Sequence, residues 1–527
     1  MHYSKLTGLL PVVLVLALGL AACGTNPVTG EKELQFVSES QELEIGRTQY
    51  GPAQQSQGGD FKVLPEISVY VNEVGQKLTA VSDRPLPYEF VVLNSSVPNA
   101  WALPGGKIAI NRGLLTALDN EAELAAVLAH EIVHAAARHG AKSQERGTLL
   151  QVGMVAAQVG VAMSDVSATA GNLIIQGSGL GAALTMTRYG RDAELESDHY
   201  GMIYMQRAGY DPRGAVTLQE KFVKLSEASG RNQSWLEGLF ASHPPSPERV
   251  AKNEATLAEL GNPGGNIGKE RYAAHMAPLL AIKPAYDKAD EALALARKDD
   301  LGAARKLAAE ATRLVPAEAR FPQLQGDIAL AQKEPSQALT YYQKSIALDD
   351  SYFASYLGAG TAQYKLKTDD RGRGNLERST ALLPTAPAYY YLGEIARDNG
   401  NRPKALEYFR TAASSKSDLG KQAALEYARL DFAQNGTKYI AAGVQIDARG
   451  NLMVIVENRA PFAVTGILLT PVLLDNNGRI EQQGRQLRIT QGLQPGERAA
   501  VNAGVGAATD DIRRRVRVRV DAVEAAK

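Results

Sequence analysis

Cysteine is almost absent from this chain. Cys23 is the only cysteine among 527 residues, so no disulfide can form within one molecule. Aromatic residues make up 6% of the chain, and neither sign of charge is in excess, because Lys+Arg and Asp+Glu both number 57. A balanced charge excludes a whole-chain attraction to nucleic acid or to an anionic membrane. The length indicates about three to four domains.

Apolar runs long enough to span a membrane comfortably are also missing. Leu9–Leu20 has only the length of a signal-peptide core. The stretch "LAAC" that ends at Cys23 resembles the lipobox of bacterial lipoproteins. The resemblance implies that residues 1–22 are a signal peptide and that Cys23 becomes the lipidated first residue. Because Gly24 rather than Asp follows, it also implies anchoring to the outer membrane, with the chain in the periplasm. An ordinary secretory signal with an incidental cysteine is the alternative.

Three folded regions are expected after a short lead, residues 23–45. Residues 46–270 mix short strands with helices, which predicts a mostly helical α+β domain. Residues 283–434 carry a helical repeat. In residues 438–527 apolar and polar residues alternate with a period of two, which predicts a small β-sandwich. A Gly-, Ala- and Val-rich stretch, Gly147–Leu184, is interpreted as a buried helix or a mobile flap rather than a membrane segment.

The helical repeat has a period near 34 residues and resembles an array of about four degenerate tetratricopeptide units. Small and aromatic residues recur at equivalent helix positions in "DLGAARKLAAEATRLVP", "EPSQALTYYQKSIALDD" and "NRPKALEYFRTAASSK". Gly326, Gly358 and Gly393 are expected to mark the first helix of three units, where two helices cross closely. A plain helical bundle is the alternative interpretation.

Candidate chemistry concentrates in "LAHEIVHAAARHG", residues 128–140. Within it, His130 and His134 are one helical turn apart and share one face, so both imidazoles can bind one metal ion. Glu131 projects to the side of His134 and is placed to take a proton from the attacking water as general base. The pattern is typical of zinc peptidases.

The helix that carries this motif has clear end signals. Asp119 or Asn120 is expected to cap its N-terminus, and Gly140 is expected to end it in the left-handed conformation. His139 lies five residues after His134, about 140° around the helix, and would face away from the metal. We therefore interpret His139 as a helix-end histidine stabilised by the helix dipole rather than as a ligand.

A third ligand is expected downstream, in "RYGRDAELESDHYGM". Glu194 and Asp198 are four residues apart and share a helix face. Glu194 can complete a set of two histidines and one carboxylate, and Asp198 can accept the other ring N–H of a ligating histidine. From this segment alone, a solvent-exposed acidic helix face is the favoured interpretation.

Several further motifs occur in the order found in one family: "NPVTG", "NAWALPGG", "LAAVLAHEIVHAAARHG", "ELESD", "GYDP" and "SHPPSPERV". They resemble the gluzincin zinc metallopeptidases related to CAAX prenyl endopeptidases. Within that family they are similar to the periplasmic lipoprotein branch of beta-barrel assembly-enhancing proteases, which carry C-terminal tetratricopeptide repeats. The resemblance covers about residues 26–270 and, more loosely, the repeats. It leaves the role of the β region open.

The resemblance implies roles for individual residues. The first Glu of the family's E-x-x-A-D motif is the third zinc ligand and matches Glu194, with Ser197 where Ala is usual, and Asp198 supports a ligand. His243 matches a histidine on a loop near the active site, where it either visits the open zinc position or helps to hold substrate; a Pro-rich interdomain turn is an equal alternative. Asn99–Ile110 resembles the edge strand on which metalloproteases bind an extended substrate, which gives Asn99 a possible substrate contact.

The predicted fold class is therefore multidomain: a zincin-type α+β metalloprotease domain, a tetratricopeptide-like solenoid and a small C-terminal β-sandwich. The expected function is that of a lipid-anchored periplasmic metalloendopeptidase with one zinc ion per subunit. Its substrates would be misfolded or unassembled outer-membrane proteins, and the repeats would hold them or dock on their assembly machinery. A chaperone or assembly scaffold acting mainly through the repeats is the alternative, and peptidoglycan metabolism is a weaker one. No nucleic-acid partner is expected.

Overall fold

The computed structural model describes residues 23–145, 189–229, 243–504 and 508–526. The chain divides into two compact units, Met1–Leu383 and Pro384–Lys527. The predicted signal peptide and the Gly-rich stretch Gly147–Leu184 lie outside the described residues. Within the described part, no helix combines the length and the apolarity that crossing a membrane requires.

The first unit starts with a hairpin that joins β1 to β2 and continues into helices around a three-stranded sheet. Strand β4 lies at one edge of that sheet, since the strand order is β3–β5–β4, with β3 parallel and β4 antiparallel to β5. The elements are β1 (Cys23–Thr25), β2 (Lys32–Leu34), α1 (Glu39–Ser56), α2 (Pro65–Thr79), β3 (Glu89–Leu93), β4 (Ala100–Leu103), β5 (Lys107–Asn111), α3 (Arg112–Leu115), α4 (Glu121–Ala136), α5 (Arg191–Arg207), α6 (Arg213–Ser229) and α7 (Pro247–Glu259).

The motif helix α4 is capped as the sequence indicates at its start and differently at its end. The side chain of Asn120 accepts a hydrogen bond from the backbone N–H of Glu123 at 2.9 Å, which satisfies one of the free donors of the first turn. The helix ends at Ala136, and Arg138 takes the left-handed conformation with φ 63°. The prediction that Gly140 ends the helix is therefore wrong, because the chain turns two residues earlier.

Helix pairs follow this α+β region, as the repeat predicts. Gly326 and Gly358 lie on either side of the Tyr342 ring; a Cβ on Gly326 would come within 2.7 Å of the ring, and one on Gly358 would overlap it. The glycines therefore occupy the crossing positions that the sequence indicates. The helices of this unit are α8 (Lys269–Arg297), α9 (Leu301–Leu314), α10 (Arg320–Ala331), α11 (Pro335–Leu348), α12 (Phe353–Lys365) and α13 (Asp369–Leu382).

The second unit combines further helices with two small sheets. Helices α14 (Ala386–Asp398) and α15 (Arg402–Ala412) pair, with Gly393 against the Phe409 ring, and α16 (Asp418–Asn435) follows. One sheet has the order β10–β8–β12 with β9 also on β8, and the other has the order β11–β7–β6. The strands are β6 (Ile440–Ile446), β7 (Leu452–Asn458), β8 (Val464–Leu474), β9 (Ile480–Gln483), β10 (Leu487–Ile489), β11 (Arg498–Asn502) and β12 (Val516–Ala525), with a short helix α17 (Asp510–Arg515) before the last.

Both sheets contribute to one hydrophobic core, which includes Leu452, Val454, Ile467 and Leu469. This two-sheet arrangement, together with the helix pairs and the α+β region, confirms the predicted multidomain fold class. The predicted domain limits stay predictions. Helix α8 runs without interruption through the interval between the limits expected at 270 and 283.

The close packing on Tyr342 generates a stability prediction. Gly358→Ala should destabilise the repeat by about 1–3 kcal/mol, because the added methyl group overlaps the aromatic ring and forces neighbouring helices apart. We expect a lower urea midpoint in denaturation followed by circular dichroism. Gly374→Ala, in α13 with no atom within 4 Å of the added carbon, is the matched control and should stabilise by about 0.5–1 kcal/mol. Equal effects of the two changes would contradict this role of the Tyr342 packing.

Candidate metal centre and active site

Helix α4 and the start of α5 bring the predicted ligands together. His130 Nε2 and His134 Nε2 lie 2.9 Å apart. Glu194, from the first turn of α5, places its carboxylate oxygens 3.5 Å from His130 Nε2 and 3.4 Å from His134 Nε2. All three side chains are buried. The two histidines at i and i+4 and the carboxylate sixty residues later therefore form one group, as the family resemblance implies.

His243 joins this group from a loop in front of α7. Its Nδ1 lies 3.0 Å from Glu194 Oε1 and 3.3 Å from His130 Nε2. Each of the four residues offers one ligand atom, and these atoms lie within 4.8 Å of one another. Three imidazole nitrogens and one carboxylate oxygen are donors that zinc accepts in tetrahedral sites, so the residues fit this ion.

Asp198 orients His130, and a buried arginine in turn fixes Asp198. The carboxylate accepts from His130 Nδ1 at 2.9 Å and from two nitrogens of the Arg249 guanidinium, both at 2.7 Å. Burial alone would raise the pKa of Asp198, but the Arg249 charge and the His130 hydrogen bond hold that pKa below its usual range. The ring of His130 is thereby fixed with Nε2 toward the metal-binding group.

Arg249 was not identified from the sequence. It also lies 2.9 Å from Glu194, so one guanidinium contacts both carboxylates behind the histidines. It is placed by the start of α7, where the Ser246 hydroxyl accepts from the Arg249 backbone N–H at 3.2 Å. The only local signal is a helix start in "SPERV", and such a signal does not show which side chain points into a buried site.

Glu131, the predicted general base, lies beside the metal-binding group. It is only 2% exposed, and burial raises the pKa of its carboxyl group. One oxygen is 3.4 Å from His243 Nε2, and the other has no hydrogen-bond partner among the described residues. A buried carboxylate with a free oxygen next to the donor set is placed to receive a proton.

His139 does not face away from the motif, and that expectation is wrong. Its Nδ1 lies 2.9 Å from His134 Nδ1, because the chain turns at Arg138 and no longer follows the helical rotation on which the expectation rested. His139 is nevertheless absent from the metal-binding group of the described residues. It contacts a ligand candidate without being one.

Asn99 precedes edge strand β4 and stays outside the metal-binding group. Its backbone oxygen accepts from the Asn111 N–H at 2.8 Å, and its buried side-chain oxygen has no hydrogen-bond partner among the described residues. Tyr189 connects this strand to the site: its ring stacks on His134 at 4.0 Å, and its hydroxyl donates to the Ala102 oxygen at 3.3 Å. Tyr189 was not identified from the sequence either.

Comparison with known proteins fits this geometry. Residues 66–256 match the family model "Peptidase family M48", a range that includes Glu131 and the four residues of the metal-binding group. Residues 66–256 form a peptidase family M48 domain. Peptidases of this family depend on zinc, and the M48 domain of this chain presents a donor set that can hold it, so the predicted cofactor is confirmed. The roles of the individual residues stay predictions.

Individual relatives match less than half of this chain. The beta-barrel assembly-enhancing protease of Escherichia coli (strain K12) is 29% identical over 231 residues, which are 43% of this chain and 46% of the relative. The mitochondrial metalloendopeptidase OMA1 of Schizosaccharomyces pombe is 32% identical over 240 residues, 44% of this chain and 66% of the relative. The chain thus spans about half the length of the bacterial relatives it matches. A crystal structure of PilW, a type IV pilus biogenesis factor, overlaps 42% of this chain and 88% of its own, with a TM-score of 0.28 and 16% identity.

The ligand assignment can be tested without any activity measurement. Glu194→Ala removes the only carboxylate of the metal-binding group, so zinc bound per chain should fall from about one to well below one after dialysis. Metal content is measured by atomic emission on purified protein. Glu248→Ala, which removes an exposed ion pair with Arg191 near the site, is the control and should keep its zinc. Full zinc occupancy in Glu194→Ala would remove this residue from the ligand set.

Proposed function

We propose that the protein is a lipid-anchored periplasmic zinc metalloendopeptidase that hydrolyses peptide bonds of misfolded or unassembled outer-membrane proteins. The observation that carries the catalytic part is the convergence of His130, His134 and Glu194, with Glu131 buried beside them. The M48 match and the names of the relatives, all of them proteases or endopeptidases, support the same activity.

Each residue of the site has a task in this proposal. His130, His134 and Glu194 hold the zinc ion, and zinc when bound polarises the scissile carbonyl and acidifies water. Glu131 takes a proton from the attacking water with its free oxygen and passes it to the leaving amine. Burial raises the pKa of its carboxyl group, which favours a group that has to take a proton from water before it gives that proton up. Asp198 and Arg249 keep the His130 ring in place.

Strand β4 supplies a binding surface for an extended peptide. It lies at the edge of its sheet, where a substrate strand can pair with backbone groups other than the Ala102 oxygen, which accepts from the Tyr189 hydroxyl. Ala100 of this strand lines the same cavity as His130 and Glu131. A peptide paired with β4 would therefore pass in front of the general base. The buried side-chain oxygen of Asn99, which has no hydrogen-bond partner among the described residues, could accept a hydrogen bond from such a peptide.

His243 has two possible roles, and its position favours one of them. Its ring nitrogen lies among the same atoms as the other three ligand candidates, at the point where an open coordination position would be needed for catalysis. We infer that His243 blocks this position when no substrate is bound and leaves it when substrate arrives.

The proposed location and the proposed substrates are supported by observations outside the metal centre. The lipobox-like sequence before Cys23 supports lipidation, and the bacterial relatives are named for assembly of beta-barrels. The helix pairs provide a surface on which unfolded chains or assembly factors could bind. The alternative function, a chaperone or assembly scaffold, is favoured by the same repeats and differs in that it does not need Glu131.

Glu131→Gln is the test of the catalytic proposal. The change keeps the size of the side chain and removes the base, so casein hydrolysis should fall by at least about 100-fold, while bound zinc stays at the wild-type level. Glu44→Gln, an exposed glutamate of α1 paired with Arg47, is the matched control. In cells, the scaffold alternative predicts that Glu131→Gln behaves as wild type, and that outcome would overturn a proteolytic role.

Cys23→Ala tests the anchor. Without the thiol there is no attachment point for lipid, so the variant should lose labelling by a radioactive fatty acid and move from the membrane fraction to the soluble periplasmic fraction. Zinc content serves as the folding control and should not change. Membrane association that survives in the Cys23→Ala protein would contradict the lipid anchor.

A further inference from the structure

The residues behind His134 differ from those behind His130. His130 is held by a carboxylate, Asp198, whereas His134 is held by a second imidazole, that of His139. The His134 and His139 rings are 4.9 Å apart and inclined by 73°. Metal-binding histidines usually donate their second ring N–H to a carboxylate, carbonyl or water. Because the His139 imidazole takes that place behind His134, its own second ring nitrogen needs a polar partner.

That partner is Glu196, which connects the site to the N-terminal lead. Glu196 Oε1 lies 3.3 Å from His139 Nε2 and accepts from Asn26 Nδ2 at 2.9 Å. Asn26 is 0% exposed although it lies only three residues after Cys23. The Ser197 hydroxyl adds a longer contact, 3.4 Å from His139 Nδ1. The contacts form a continuous chain from the lead to His134.

The hydrogen-bond partners assign one tautomer to each ring. His134 directs Nε2 at Glu194, so its proton belongs on Nδ1, where it is donated to His139 Nδ1. His139 then carries its own proton on Nε2, which lies 3.3 Å from Glu196 Oε1, an ion-pair distance rather than a hydrogen bond of regular geometry. With this tautomer the Nε2 lone pair of His134 is available to a metal ion.

The backbone is held in the conformation that this contact requires. Arg138 adopts the left-handed conformation that side chains other than glycine rarely take. Its guanidinium is buried and donates to the Glu42 carboxylate and to the Val37 oxygen, and Glu42 also accepts from Arg84 at 2.8 Å. The lead and the start of α1 thus fix the turn that directs His139 back under His134.

We propose that His139 is a positioning residue for the zinc ligand His134, and that Asn26, acting through Glu196, makes the N-terminal lead part of the metal site. The proposal rests on the zinc site of the proposed function. It requires that zinc affinity depend on residues that never touch the ion. It also requires that loosening the lead next to the predicted lipid anchor speed up zinc release.

The first experiment measures zinc affinity of the full chain carrying Glu131→Gln, by competition with a chelating dye. His139→Phe keeps a ring but removes the acceptor, and should weaken zinc binding by roughly 10–100-fold. His139→Asn restores an acceptor oxygen at the position of Nδ1 and should bind within about threefold of the parent. His199→Phe, whose ring contacts Thr256 instead, is the matched control.

The outcomes separate this inference from the function it rests on. If the parent protein binds no zinc, the zinc site itself fails. If the parent binds zinc and His139→Phe binds it equally well, only the positioning role fails. The melting temperature of each zinc-free variant monitors folding; a loss of affinity in both His139→Phe and His139→Asn would mean that packing, not the acceptor, matters, and would overturn the proposal.

The second experiment tests the lead. Asn26→Ala frees Glu196 from the N-terminal segment, and the rate of zinc release to excess chelator should rise by about tenfold. Lys32→Ala, an exposed residue of the same hairpin that contacts Thr25, should leave the rate unchanged. An unchanged rate in Asn26→Ala would show that the lead does not contribute to the metal site.

Discussion

Every residue of α4 is buried, and the organisation of the M48 domain follows from this constraint. A buried helix with polar side chains is stable only if each of them meets a partner inside the protein. Near the start of α4, Glu121 accepts from the hydroxyls of Tyr70 and Tyr210, and Glu123 accepts from Lys221. The partners come from other elements, so the ionisable groups of one helix determine what must pack around it.

The same constraint shapes the metal centre. His130 needs Asp198, and Asp198 needs Arg249, because an unpaired carboxylate at this depth would be strongly unfavourable. Helix α5 must therefore approach α4 closely. Gly201 allows this approach, because a Cβ at this position would lie only 3.3 Å from the backbone nitrogen of His130. The ligand geometry is thus a consequence of how two buried helices satisfy their charges.

The first repeat helices pack directly against the M48 domain. Tyr286 and Phe321 of the repeat helices belong to the same hydrophobic core as Ile67 of the M48 domain. Polar contacts add to it, including Lys62 with Asp349 at 2.8 Å. A shared core resists separation far better than a surface ion pair does. The repeat helices that share this core are therefore held at a fixed orientation to the metal centre.

Local patterns in the sequence determined the helices, their starting caps, the repeat with its crossing glycines and the pairing of His130 with His134, because each depends on residues within about one turn or one repeat. The resemblance to a known family, rather than geometry, selected Glu194 and Asp198. Only the tertiary structure decided the rest. Arg249 and Tyr189 reach the site through packing between distant segments, and His139 turns inward because Arg138 is held in a left-handed conformation by Glu42, almost a hundred residues earlier. A helical rotation can be calculated from sequence only as far as the helix continues, and the turn after this helix contacts a partner that lies far away along the chain.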